Sequence, residues 1–282
     1  MTDTIMMKRH TLHIIYSLAI VIAAICIALL LPNQEAPQEM PFPQRDYKEI
    51  KSDGILNVVT EYNTLGYYAE KDTIAGFQYE LIQAFANSKG LRANIRPVMD
   101  FEERTKGLNE VIFDLIACNL LATSELKDTI ALTHPILLSK DILVQRKKNG
   151  NDSTFIANQL ALAHKTIHVA KGSPTLLRLR NLSHEIGDTI YVNEIDKYGP
   201  EQLVALVAHG DIDYAVCDEK IAHALADSLP QLDLTTDISF TQFYAWGVRK
   251  QSTELLDSLN AWLDSFLHTE AYNRLYRKYY RK

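Results

Sequence analysis

The side chains with the clearest chemical potential stand where short apolar runs end. Ile212-Asp213-Tyr214-Ala215-Val216-Cys217-Asp218 follows a Gly210-Asp211 turn and finishes on a carboxylate. Phe113-Asp114-Leu115-Ile116-Ala117-Cys118-Asn119 matches it position for position and finishes on an amide. Strand ends of this kind face the ligand crevice in open α/β sheets. A carboxylate placed there forms charge-assisted hydrogen bonds, about twice as strong as neutral ones, and suits an ammonium group. Two like units, each closing on a polar group, predict two similar lobes with Asn119 and Asp218 looking into one cleft. Asp218 also has a local role open to it, as the N-cap of a helix that begins at Glu219.

Gly172-Ser173-Pro174-Thr175 carries the opposite chemistry. Ser173 is a good N-cap and Pro174 suits a first helical position, so free amides and a positive helix end are expected to point towards the cleft and receive an anion. Tyr62, Tyr67 and Tyr68, in the loop after a first strand, could wall in a ligand or pack the loop. Tyr244 and Trp246 read as core rather than ligand wall.

Other chemistries find little support. His164 and His168 are four apart but straddle a strand start, and the three cysteines, Cys26, Cys118 and Cys217, have no zinc-like spacing. Cys118 and Cys217 read as small buried residues; a disulfide between them requires the lobes to shut closely. No His-Glu-x-x-His, Gly-x-Ser-x-Gly or phosphate-binding loop occurs, so neither a metal nor a cofactor is expected. Glu102 and Glu103 read as a solvated helix face. A net charge of -6 without a long basic run argues against nucleic acid as a partner.

The elements that must hold these groups follow a regular order. Strands are expected at 55–60, 93–98, 115–118 and 142–146, with helices at 76–87 and 101–110 between them. The order repeats as strand 166–170, helix 174–182, strand 189–192, helix 200–208, strand 212–216 and helix 219–226. A strand at 240–249 and helices at 255–266 and 271–280 close the chain. Alternation of this kind implies an α/β fold with largely parallel sheets covered on both faces. Ahead of it, a cytoplasmic tail (1–11) with Lys8-Arg9-His10 precedes an apolar run at 12–31, about the length of a membrane-spanning helix. That run reads as an uncleaved anchor rather than a removed signal. A proline-rich linker at 32–50 then separates it from the folded part.

Together the motifs resemble the bacterial extracellular solute-binding proteins of family 3, the polar amino-acid-binding type. Those that carry the likeness are Gly76-Phe77-Gln78-Tyr79-Glu80-Leu81, Asp114-Leu115-Ile116-Ala117, Thr123-Ser124-Glu125, Gly172-Ser173-Pro174-Thr175, residues 210–218 and Tyr276-Arg277-Lys278-Tyr279-Tyr280. The chain is similar to the solute-binding half of membrane-bound lytic transglycosylase F, without the transglycosylase domain. The resemblance implies a two-lobed periplasmic-binding-protein-like fold of type II, lobe 1 at 51–144 and 238–282 and lobe 2 at 145–237. Strands 142–146 and 240–248 would be the crossings, and a small polar ligand would bind between closing lobes.

The implied ligand-binding residues are Gly172, Ser173, Thr175 and Asp218 in lobe 2, with Asn119, Thr123, Lys127, Tyr62 and Tyr67 in lobe 1. The family's carboxylate-binding Arg falls on Leu126, and Lys127 is only its neighbour. Gln78 replaces an Asp, and Leu121 a Thr or Ser. A ligand larger than a free amino acid, such as a peptide or cell-wall fragment, fits such a site better. The expectation is a non-enzymatic, membrane-anchored binding protein on the periplasmic side of the inner membrane, serving a permease or a cell-wall enzyme. The alternative is a ligand-independent regulatory module for envelope enzymes.

Overall fold

The computed structural model describes residues 45–280 apart from 72, 151–153 and 197. The apolar run at 12–31 lies outside these residues, as does most of the proline-rich stretch. Among the described residues no helix is long and apolar enough to cross a membrane. The last part of the expected linker is helical: α1 (Tyr47–Asp53) starts from a capping box in which Asp46 and Glu49 each receive the other's backbone amide. Asp46 also accepts from the amides of Glu254 and Leu255, so one carboxylate caps two helices. So short a helix, with only Ile50 buried, leaves no periodic signal in the sequence.

From there the chain lays down β1 (Ile55–Thr60), a hairpin of β2 (Tyr68–Glu70) and β3 (Thr73–Ala75), α2 (Phe77–Ser88), β4 (Arg92–Pro97), α3 (Phe101–Asn109) and β5 (Leu115–Leu121). Then come α4 (Ser124–Thr129), β6 (Ala131–Leu132), β7 (Leu137–Ser139) and β8 (Asp141–Arg146). The second half contains β9 (Thr166–Ala170), α5 (Thr175–Ile186), β10 (Tyr191–Ile195), α6 (Pro200–His209), β11 (Ala215–Asp218), α7 (Glu219–Ala226) and β12 (Leu232–Asp233). The chain finishes with β13 (Gln242–Val248), α8 (Thr253–Phe266) and α9 (Glu270–Tyr280).

Two sheets result, and they are mixed rather than parallel. In the first, β4, β1 and β5 run parallel and β13 joins antiparallel; in the second, β10, β9 and β11 run parallel and β8 joins antiparallel. Each sheet thus takes its fourth strand from a segment that had been expected to cross between the lobes. Residues 141–146 pair wholly in the second sheet and 242–248 wholly in the first, so the chain passes between them at Lys140 and at 239–241. Both faces of each sheet are covered. Phe77, Leu81 and Phe85 of α2 pack with Trp246 and Trp262 on one face of the first sheet, while Val59, Leu108 and Ile116 pack on the other. Leu143, Val169 and Leu179 fill one side of the second sheet, and Val144, Val204 and Val207 fill the other. Each large side chain buried in this way contributes about 1.5–3 kcal/mol.

The internal likeness has a physical basis. Arg249, just past β13, reaches the carbonyls of Leu108 and Phe113 and the carboxylate of Asp114 at 3.4 Å. Arg146, ending β8, makes the corresponding contacts to the carbonyls of Val207 and Ile212, both at 2.9 Å, and to Asp213. In each half an arginine from the antiparallel strand ties down the helix end and the turn before the third parallel strand. The Asp of each repeated motif is therefore structural, and the polar residue at the far end of the strand is left for the cleft. Gly76, with φ of 133°, opens α2 where an added Cβ would meet the Gly66 carbonyl oxygen at 2.2 Å, so a bare backbone is required there.

Candidate functional site

The C-terminal ends of the parallel strands from both sheets converge on one open cavity of about 1140 Å³. The floor of the second half is acidic. Asp141 opens β8 and Asp218 closes β11, and the two are directly paired in the strand register. Side chains of directly opposed residues in an antiparallel pair stand on the same face, with Cβ atoms about 5 Å apart, and both carboxylates line the cavity.

The two carboxylates differ in their partners. Asp218 Oδ1 accepts from the amides of Lys220 at 2.8 Å and Ile221 at 3.4 Å, capping α7, while its Oδ2 is shielded from solvent. Asp141 Oδ2 accepts from the Thr175 hydroxyl at 2.9 Å. Burial pushes the Asp141 carboxyl up to about 6; the Thr175 hydroxyl pulls it down, and the charge of Asp218 adds to the rise. Burial also raises Asp218, against the Ser139 hydroxyl, the amides of Lys220 and Ile221 and the charge of Lys220. Tyr244 of β13 lines the same region, and burial followed by the charges of Asp141 and Asp218 holds its hydroxyl neutral.

The first half supplies an amide and a guanidinium. Asn119 at the end of β5 accepts from Gln78 Nε2 at 2.8 Å, and Gln78 in turn accepts from the Trp246 indole at 2.7 Å. Arg104 of α3 lies almost wholly buried in the cavity wall over the Phe101 ring. It donates to the Val98 and Met99 carbonyls and sits 3.5 Å from Glu61, while its Nε has no partner. At the lip of the cleft Thr64, through its amide and hydroxyl, bonds Glu201 of α6. Behind it, Lys220 of α7 lies over the rings of Tyr276 and Tyr280 of α9 at 5.6 and 5.4 Å.

Paired strand-end groups around a cleft between two like sheets agree with the match of residues 55–282 to one family. The chain belongs to the bacterial extracellular solute-binding proteins, family 3. It is 28% identical over 240 residues to a membrane-bound lytic murein transglycosylase F of Desulfosudis oleivorans, covering 82% of this chain and 50% of that protein. It is 27% identical over 235 residues to the enzyme of that name from Pseudomonas putida, covering 83% and 47%. The chain spans about half the length of these curated relatives. Among solved structures, a mutant of ArgBP from T. maritima superposes with a TM-score of 0.72 at 24% identity, over 83% of this chain and 99% of that one. An ancestral arginine-binding protein bound to arginine gives 0.70 at 23%, over 80% and 98%. An ancestral amino acid-binding protein, a precursor of cyclohexadienyl dehydratase, gives 0.69 at 19%, over 83% and 98%. The periplasmic-binding-protein-like α/β fold is thus that of the family.

Of the residues the family resemblance pointed to, Asp218, Asn119, Thr123, Tyr62, Gly172, Ser173 and Thr175 line the cavity. Asp218 caps α7 and also lines the cavity. Lys127 and Tyr67 stand apart. Lys127 is exposed near the end of α4, and Tyr67 packs edge-to-face on Tyr79 at 6.0 Å. The helix turn of about 100° per residue leaves Leu126, not Lys127, on the cavity wall, half-buried against the apolar cluster of Ile116 and Leu120.

The free amides expected at the start of α5 are already engaged. Gly172 N donates to Glu194, Ser173 N to the Ala170 carbonyl, and Thr175 N to the Ser173 hydroxyl. Pro174 is the N-cap rather than the first helical residue, so Ser173 caps from one position farther out. The cysteines at the matching strand ends are both free and buried, and burial holds the Cys118 thiol up at about 12 and the Cys217 thiol well above its usual range. His164 pairs with Asp188 and His168 with the Tyr214 carbonyl, so the two do not meet.

Sequence reasoning missed Asp141 and Arg104. The only local trace of Asp141 is a charge at the head of an apolar run, Ile142-Leu143-Val144. Arg104 had a better signal, because Phe101, Arg104 and Leu108 recur at helical spacing and place the guanidinium on the packed face of α3.

Proposed function

We propose that this chain captures a small polar solute carrying a cationic group between its two halves, on the extracytoplasmic side of a bacterial membrane. The observation that carries this is the pair of carboxylates Asp141 and Asp218, directly opposed in the strand register, in a cavity lined from both sheets. Two buried carboxylates side by side are costly unless a positive charge is supplied. Arg104, on the opposite half, brings positive charge to the same cavity for an anionic part of the ligand. Leu126 in place of the family's arginine and the breadth of the cavity favour a peptide or cell-wall fragment over a free amino acid. The run at 12–31 would tether the protein to the membrane, and captured solute would pass to a permease or inform a cell-wall enzyme. Binding rather than turnover is the role inferred.

Thermal-shift and calorimetric titrations with amino acids, short peptides and muropeptides test this. A ligand at a hundred times its Kd adds about 2.7 kcal/mol, which raises Tm by several degrees. Silence across all three classes would refute capture.

A second role is favoured by Leu126 and by the likeness to half of the lytic transglycosylases: a regulatory module that binds an envelope enzyme without ligand. In that case Asp218→Ala would retain a cell-wall hydrolase from envelope extracts as efficiently as the parent protein. Loss of the hydrolase in that variant would refute the ligand-independent role.

A further inference from the structure

We infer that Asp141 and Asp218 act as one carboxyl pair that, in mildly acidic surroundings, keeps a proton while the cavity is empty and releases it when the cationic group of a ligand enters. This rests on the capture function proposed above and adds a proton to it.

The case begins with geometry. The two residues are opposed on neighbouring antiparallel strands and both line the cavity. Two carboxylates held so close in a poorly solvated site cannot both ionise without a penalty, so one proton is shared. The Thr175 and Ser139 hydroxyls and the first amides of α7 offset part of it, but burial outweighs them. On β11 the Cys217 thiol is neutral, on β13 the Tyr244 hydroxyl is neutral, and on α9 burial and the charge of Asp218 keep Tyr280 neutral.

The nearby cations are turned elsewhere. Lys140, just before β8, pairs with Asp237 at 2.7 Å. The Lys220 ammonium lies over the Tyr276 and Tyr280 rings and reaches Asp218 through its field, while its backbone amide donates to Asp218 Oδ1. Glu219, next to it on α7, adds negative charge near Tyr244. At about pH 6 and below, what neutralises the pair in the empty protein is therefore a proton, and a ligand ammonium or guanidinium replaces it. The bonds balance simply: one O–H is lost, its proton goes to buffer, and N–H···O hydrogen bonds form to the freed oxygens.

The uptake follows from the Asp141 carboxyl being raised to about 6. Release should be close to one proton per ligand at pH 5, about half at pH 6 and almost none at pH 8. Affinity should rise about tenfold between pH 5 and pH 7 and then level off.

Two measurements on the purified protein test this. Calorimetry in buffers of different ionisation enthalpy counts protons as L-arginine, L-lysine and alanyl-alanine bind, with acetyl-alanyl-alanine as the amine-blocked control. The expected result is release with the amine-bearing probes in the parent and none in Asp141→Asn. Binding without release between pH 5 and 6, or equal release in the variant, would overturn the inference and leave capture standing. Carbon-13 titration of labelled aspartates in the free protein reads the pair without any ligand. One carboxyl titrating near 6 supports the pair even if every probe fails and capture falls, whereas all aspartates titrating below about 4.5 would overturn it.

Discussion

Replacing Asp141 by asparagine should make this protein more stable at neutral pH, although the residue is buried and hydrogen-bonded. The folded state holds the Asp141 proton more tightly than the unfolded chain does, with the carboxyl moved from 3.8 to about 6. Its contribution is therefore most favourable below pH 4 and is lost as pH rises to 6 and beyond. At pH 7 the ionised group costs roughly 3 kcal/mol, taking 1.36 kcal/mol for each unit of displacement. Asparagine keeps a carbonyl oxygen for the Thr175 hydroxyl and brings an NH2 group that can donate to the facing Asp218 carboxylate. The expected gain is about 1–3 kcal/mol at pH 7.5, or a Tm higher by about 2–4 °C per kcal/mol, shrinking to nothing near pH 4. Denaturant titrations of parent and variant at the two pH values measure it. A variant less stable at pH 7.5, or one equally stabilised at both, would refute the claim that Asp141 is held in an unfavourable ionisation state. A site residue that costs stability is what a binding function produces.

Other substitutions separate function from scaffold. Asp218→Asn should keep the α7 cap and most of the stability while weakening binding of amine-bearing ligands at least tenfold, whereas Asp218→Ala should in addition cost about 1 kcal/mol; calorimetry and thermal melts distinguish them. Arg249→Ala should destabilise by about 3–5 kcal/mol, because it leaves the fully buried Asp114 with only Arg45 and the Asn57 amide. Arg146→Ala, in the corresponding place but facing a largely exposed Asp213, should cost much less, and urea denaturation gives both values. Cys118 and Cys217 should react with a thiol reagent far more slowly in the native protein at pH 8 than in the denatured one, since burial keeps both protonated. Rapid native labelling would contradict that.

Local signals carried most of the elements and one side of the site. The Gly210 turn, the apolar run after it and the polar stop at Asp218 are all written within nine residues, so both the strand end and the helix cap were legible. The cleft group Asn119 was legible for the same reason. The short helix α1 and the strands β6, β7 and β12 were not, because elements of two to seven residues have too little periodicity to register. The amides expected to be free before α5 are taken partly by local acceptors, the Ala170 carbonyl and the Ser173 hydroxyl, and at Gly172 by a long-range one, the Glu194 carboxylate brought in by β10.

By itself the sequence determined the alternation of strands and helices, the internal likeness of the two halves and the identity of the groups at their strand ends. These depend on periodicity and turn chemistry, which act over a few residues. Only the tertiary structure decided that β8 and β13 each complete a sheet in antiparallel register. That register sets Asp141 opposite Asp218 and aims each arginine at the matching aspartate, and strand pairing across the chain has no trace in local sequence.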